Sequence, residues 1–78
     1  MKMWGFTFCS PNALLQSARV AAPNKAIASG LLQALTDEDV ESGDDPSERV
    51  IVQYIGETQK PACVVSLIRR GGDEAAFA

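Results

Sequence analysis

The sequence predicts one α+β domain in which a single helix packs on a mixed or antiparallel β-sheet. Two patterns carry this prediction. Four stretches alternate or concentrate apolar, β-branched and aromatic residues in the way that strands do. One stretch, residues 24–36, instead repeats its apolar residues at helical spacing. The predicted order is strand, strand, helix, strand, strand, and a lone helix in such a chain has only the sheet to pack against.

The composition narrows the classes of function. The chain has 78 residues, of which 46% are hydrophobic, and this suffices for one small folded domain. It contains no histidine, so the commonest general base and metal ligand is missing. A net charge of −3 disfavours binding to nucleic acid or to an anionic membrane. We expect a monomeric binding protein without a cofactor, and not an enzyme.

Two features bear on the location of the protein. No apolar stretch has the length needed to span a bilayer, and Gly5, Thr7 and Pro11 interrupt the N-terminal apolar run before it resembles a signal peptide. The two cysteines, Cys9 and Cys63, lack zinc-ligand spacing and are too few for a disulfide scaffold. We expect a cytoplasmic protein with two free thiols.

The N-terminal part contains one clear strand and one ambiguous element. Residues 14–22 fit a helix with apolar residues along one face, and they also fit a strand. We favour the strand because Ala22 precedes Pro23, which pushes it toward extended geometry. Residues 1–9 form the clear strand, and its aromatic residues share one side: Trp4, Phe6 and Phe8.

Residues 24–36 carry the helix signals. Asn24 is a favourable N-cap, and we expect the helix to end near Thr36. Its predicted buried stripe includes Gly30, whose missing side chain would let the helix approach the sheet closely. The whole stripe consists of Ile27, Gly30, Leu31, Ala34 and Leu35.

An acidic run separates the helix from the next strand. Seven of the chain's 10 acidic residues lie between positions 37 and 48, among serine, glycine and proline, which is typical of a solvated loop. Several of these acids fall at the ligand positions of a calcium loop. That loop, however, needs glycine at its sixth position, where Ser42 stands, and a helix on each side. We therefore expect no metal site here.

The last two predicted strands, residues 49–55 and 62–68, define a candidate binding surface. If the aromatic residues of the first strand pack on the helix, strict alternation places a second apolar set on the opposite face of the sheet. Contiguous exposed apolar residues commonly mark an interaction surface. The predicted partner-binding residues of this face are Ile51, Ile55, Val64 and Ile68.

The chain after the last strand can be interpreted in two ways. A Gly71-Gly72 pair can form a turn, or it can serve as a slim peptide that threads a narrow catalytic cleft. Residues 73–78 have neither the length nor the periodicity of a packed element, so we expect a mobile, exposed tail. This divides the chain into a domain, 1–72, and a tail, 73–78.

Three segments resemble the ubiquitin-like family in order and spacing: Val20–Asn24, between second strand and helix; Arg49–Val52, after the helix; and Val64–Gly72, the final strand with its arginine and double glycine. The resemblance covers residues 2–72 and implies the β-grasp fold, with the first and last strands adjacent and parallel. Ile68, Arg69 and Ser66 depart from ubiquitin's own residues, so a dedicated conjugation pathway, for example a bacterial one, is implied.

The resemblance also implies a function. As a ubiquitin-like modifier, the chain would be a precursor that a peptidase cuts between Gly72 and Asp73. An activating enzyme and a conjugating enzyme would then join the Gly72 carboxylate, which follows Gly71, to target amines. Arg69 and Arg70 would dock on acidic surfaces of these partners. The modifier itself would perform no chemistry.

A second interpretation comes from composition alone. Small acidic proteins with α+β patterning and no catalytic residues resemble phage-encoded inhibitors of host defence, such as anti-CRISPR proteins. The acidic run at 37–48 would then imitate nucleic-acid phosphates and bind a basic protein surface.

Overall fold

The computed structural model describes residues 1–11, 13–36, 49–72 and 74–76. The α+β class and the predicted order of the first five elements are confirmed, and residues 14–22 are mainly strand. The elements are β1 (Lys2–Phe8), β2 (Leu15–Ala22), α1 (Lys25–Thr36), β3 (Val50–Glu57), β4 (Cys63–Arg69) and β5 (Glu74–Ala76).

The five strands form one sheet in the order β3-β1-β2-β4-β5, and every neighbouring pair is antiparallel. Of the two predicted alternatives, the antiparallel sheet is confirmed, and the mixed sheet, with its adjacent and parallel first and last predicted strands, is wrong. Strand β3 pairs with the free edge of β1, so β4 pairs with β2 instead, and β2 separates β1 from β4. Because β1 and β4 are both antiparallel to β2, they run in the same direction without touching.

The hydrophobic core lies between α1 and one face of the sheet, where the helix packs mainly over β2 and β4. The aromatic side of β1 points into this core, as predicted. In a domain this small, each of these side chains represents a large share of the total stability. The core residues are Phe6, Phe8, Leu15, Ala18, Val20, Ala22, Ala28, Leu32, Val50, Val64 and Leu67.

The N-terminus of α1 is capped by a side chain. The Asn24 Oδ1 atom accepts a hydrogen bond from the backbone N–H of Ile27 at 2.9 Å, which confirms the predicted N-cap. At the other end, the Thr36 hydroxyl donates to the carbonyl of Leu32 at 2.8 Å. The helix therefore begins where its local sequence indicated, and its described part extends to Thr36.

The buried side of α1 differs from the predicted stripe. Ala28 and Leu32 are fully buried, whereas Ile27 and Leu35 are 44% and 50% exposed. Gly30 is exposed, and a side chain built there would meet nothing within 4 Å, so close approach to the sheet does not require this glycine. Because α1 is apolar on most of its sides, periodicity alone did not identify the side that meets the sheet.

A β-bulge changes the face to which part of β4 belongs. Between the paired residues Arg19–Ser66 and Val20–Val64, β4 contains one extra residue, Val65. The bulge puts Val64 on the helix side, where it is only 7% exposed. The prediction that Val64 shares the opposite face with other apolar residues is therefore wrong, because strict alternation fails across a bulge.

Both cysteines are free thiols, as predicted. Cys63 pairs with Ala21, which also pairs with Met3, so Cys63 lies level with Met3 across the sheet. Cys9 is six residues further along the direction of β1, which corresponds to about 20 Å.

No helix in the described part of the chain has the length and apolarity to cross a membrane.

Candidate functional site

Gly71 and Gly72 form the turn between β4 and β5. The N–H of Gly72 donates to the carbonyl of Arg69 at 3.0 Å, which closes the turn. The φ angles of Gly71 and Gly72 are 103° and 96°, values that residues with a side chain rarely adopt. The turn geometry thus accounts for the two glycines, and both remain exposed at the surface.

The segment after the turn is paired, in contrast to the mobile tail expected from the sequence. Residues 74–76 form β5, which covers part of the outer edge of β4, an edge that would otherwise leave backbone groups unpaired. Asp73, Phe77 and Ala78 lie outside the described residues, so processing after Gly72 stays a prediction. The paired residues are Ile68–Glu74, Leu67–Ala75 and Ser66–Ala76.

Arg70 connects the C-terminal turn to the hairpin between β1 and β2 through hydrogen bonds. Its guanidinium group donates to the carbonyls of Ser10 at 2.7 Å, Ala13 at 3.1 Å and Phe8 at 3.3 Å. Its backbone N–H donates to the Leu14 carbonyl at 2.9 Å. We expected Arg70 to dock on partners, but its side chain is engaged within the molecule.

The neighbouring Arg69 behaves differently. It is exposed, and its side chain has no hydrogen bond or ion pair with the described residues. Of the two predicted partner-binding arginines, Arg69 alone has a side chain left for an external contact in the described part of the chain.

The sheet face opposite α1, here called the open face, carries two rows of side chains that run across all five strands. Several of these residues line a shallow cavity of about 330 Å³. Neighbours within a row are about 4.8 Å apart. The first row is Gln53, Gly5, Arg19, Ser66 and Ala76; the second is Ile51, Thr7, Ser17, Ile68 and Glu74.

Arg19 occupies the centre of the open face. It lies on the middle strand, β2, between Gly5 on β1 and Ser66 on β4. Its side chain is exposed and forms no ion pair or hydrogen bond with the described residues. Small neighbours on both sides leave this guanidinium group accessible to a ligand.

Three isoleucines contribute apolar side chains to the open face. Ile51 and Ile55 are 39% and 51% exposed, and Ile68 is half-buried. Ile55 is the extra residue of a bulge in β3 and lies over Gly5, with its Cδ1 atom 2.7 Å from where a β-carbon would be. Three of the four predicted partner-binding isoleucine and valine residues therefore share this face, and Val64 does not.

A further electrostatic interaction among the described residues lies away from the open face. At the edge of the helix side, the Tyr54 hydroxyl donates to Glu57 Oε1 at 2.9 Å, and this bond raises the pKa of the phenol. The described residues contain no group of three side chains able to hold a metal ion. The acidic run at 37–48 lies outside the described residues.

Arg19 was not among the site residues predicted from the sequence. The available signal was alternation: positions 5, 7, 17, 19, 53 and 66 carry glycine, hydroxyl, amide or guanidinium groups, and alternate positions on the same strands are apolar. Only the strand order brings these positions together.

Comparison with known proteins identifies no relative. No family model, curated protein or solved structure matches this chain.

Proposed function

We propose that this chain is a protein-binding module that recognises a partner through its open face and performs no catalysis. One observation carries this proposal: the guanidinium group of Arg19 pairs with no described residue, and it lies near exposed isoleucines at the centre of a sheet face that no described helix or strand covers. A cytoplasmic location belongs to the same proposal, and the two free thiols support it.

The chemistry of the open face favours a partner segment with a carboxylate between apolar side chains. Arg19 can hold a carboxylate through two parallel hydrogen bonds. Thr7, Ser17 and Ser66 add hydroxyl donors within one or two strand spacings of it. The isoleucines of the face supply apolar contact area. Glu74, two strands from β2, would repel a second acid on that side and so orient the partner.

Substituting Arg19 tests the proposal. A peptide pool with a central glutamate and random apolar flanks should shift the amide NMR signals of Gly5, Arg19 and Ser66. A matched pool with central glutamine should not, because it lacks the charge. Arg19→Gln should abolish the shifts. Arg69→Gln, which removes the same charge from an exposed position off the open face, should preserve them. Shifts confined to other surfaces, or equal shifts with both pools, would refute the proposal.

A second candidate function is the ubiquitin-like modifier with its β-grasp assignment. Gly71 and Gly72 are exposed, and apart from their chain neighbours no described residue lies within 4 Å of the position where either would carry a side chain. This supports access of a peptidase to the bond after Gly72. The element order strand, strand, helix, strand, strand also supports the candidate, whereas the separation of β1 from β4 does not.

A processed form tests the modifier directly. Residues 1–72, mixed with ATP and the enzymes encoded beside this gene, should form a thioester that reducing agent cleaves. Residues 1–71 are the matched control and should form none, because the reactive carboxylate is displaced by one residue. Equal results for both forms would count against this function and leave the open-face proposal untouched.

A further inference from the structure

We propose that two copies of this chain associate edge to edge through β3 and form one continuous sheet. Among the described residues, β3 is the outermost strand on its side of the sheet. The stretch 51–54, before the bulge at Ile55, carries no charge and no proline, two of the devices by which proteins protect an exposed edge. In this stretch, no charge or proline opposes pairing with another strand.

The backbone groups available at this edge can be identified. The Arg49 carbonyl accepts a hydrogen bond from the N–H of Cys9 at 3.0 Å, so the backbone of Arg49 faces β1. Alternate residues of an antiparallel strand face the same way. The N–H and C=O groups of Val52 and Tyr54 consequently point away from β1, and no described strand lies on that side.

The sequence of β3 is complementary to itself, which favours a second copy as the occupant. Directly opposed residues of antiparallel strands share a face of the sheet. The two-fold axis of a symmetric pair must therefore pass between the two copies of one residue, which then lie opposite each other. An axis through Gln53 sets Ile51 opposite Ile55 on the open face and Val52 opposite Tyr54 on the helix side. Apolar residues then meet on both faces, and the two Gln53 amides can bond to each other.

This arrangement replaces the monomer expected from the sequence and has a consequence for the open face. Because the axis is perpendicular to the sheet, the two open faces adjoin on one side. The two Arg19 residues would lie five strand spacings apart, or about 24 Å. That spacing would suit a partner with two acidic segments. This consequence rests on the proposed function, whereas the dimerisation does not.

Sedimentation velocity over a wide range of protein concentration tests the dimer. The unmodified chain should shift from monomer to dimer as its concentration rises. Gln53→Lys should remain monomeric, because two like charges meet at the axis. Gln33→Lys introduces the same charge on an exposed position of α1 and should dimerise normally.

Mixing two charge variants tests the register. Gln53→Lys and Gln53→Glu should each be monomeric alone and should form a dimer when mixed, because opposite charges then face each other at the axis. A chain that stays monomeric at all concentrations overturns the proposal. So does a Gln53→Lys variant that dimerises like Gln33→Lys, or a mixture that remains monomeric.

Discussion

Val64→Asp is expected to abolish cooperative folding, whereas Ile51→Asp leaves the fold intact and abolishes partner binding. Val64 is 7% exposed in the core, and Ile51 is 39% exposed on the open face. An unpaired carboxylate at Val64 should cost more than about 4 kcal/mol. A core this small rarely supplies more than about 3–5 kcal/mol of net stability, so the variant should be largely unfolded.

Far-UV circular dichroism and urea unfolding followed by Trp4 fluorescence measure the folding and stability of both variants. The glutamate peptide pool described above measures partner binding by Ile51→Asp. Ile51→Asp should lower the free energy of unfolding by about 1 kcal/mol, the range of strand propensities. Val64→Ala, which removes methyl groups without adding charge, should still fold and serves as the control for the site itself. A folded Val64→Asp together with an unfolded Ile51→Asp would show that the two faces are assigned in reverse.

Arg70→Ala is expected to destabilise the domain by about 2 kcal/mol, since hydrogen bonds from a charged donor are among the stronger ones. In a domain of this size, that loss lowers Tm by roughly 10 °C. The guanidinium group donates to three carbonyls of the β1–β2 hairpin region, so the substitution removes three hydrogen bonds between the C-terminal turn and this region.

Two variants distinguish the loss of the Arg70 hydrogen bonds from a general effect of removing a positive charge. Arg70→Lys should recover little of the loss, because an ammonium group cannot reach the carbonyls of Phe8, Ser10 and Ala13 together. Arg69→Ala removes the same charge from the adjacent residue and should change stability by less than about 0.5 kcal/mol. Thermal unfolding of the three variants in parallel provides the comparison. Equal losses for Arg69→Ala and Arg70→Ala would contradict the role assigned to Arg70.

Local sequence was sufficient to predict those features of the fold that depend on interactions between residues close together in the chain. The aromatic alternation of β1 predicted its buried side, and Asn24 marked the start of α1. It was insufficient where a bulge intervened, as at Val64, because a bulge depends on the partner strand. The buried side of α1 was also not predicted. The helix is apolar on most sides, so contact with the sheet determines which side is buried.

Short-range periodicity and capping were enough to predict the α+β class and the types and order of the first five elements, β1 to β4 with α1. Tertiary structure alone decided the strand order, the pairing of residues 74–76 with β4 and the engagement of Arg70. It also decided which polar residues surround Arg19. Strands of similar composition can pair in several orders, and hydrogen bonds between residues about 60 positions apart leave no local pattern. The candidate site consists of such long-range neighbours, and only the folded chain brings them together.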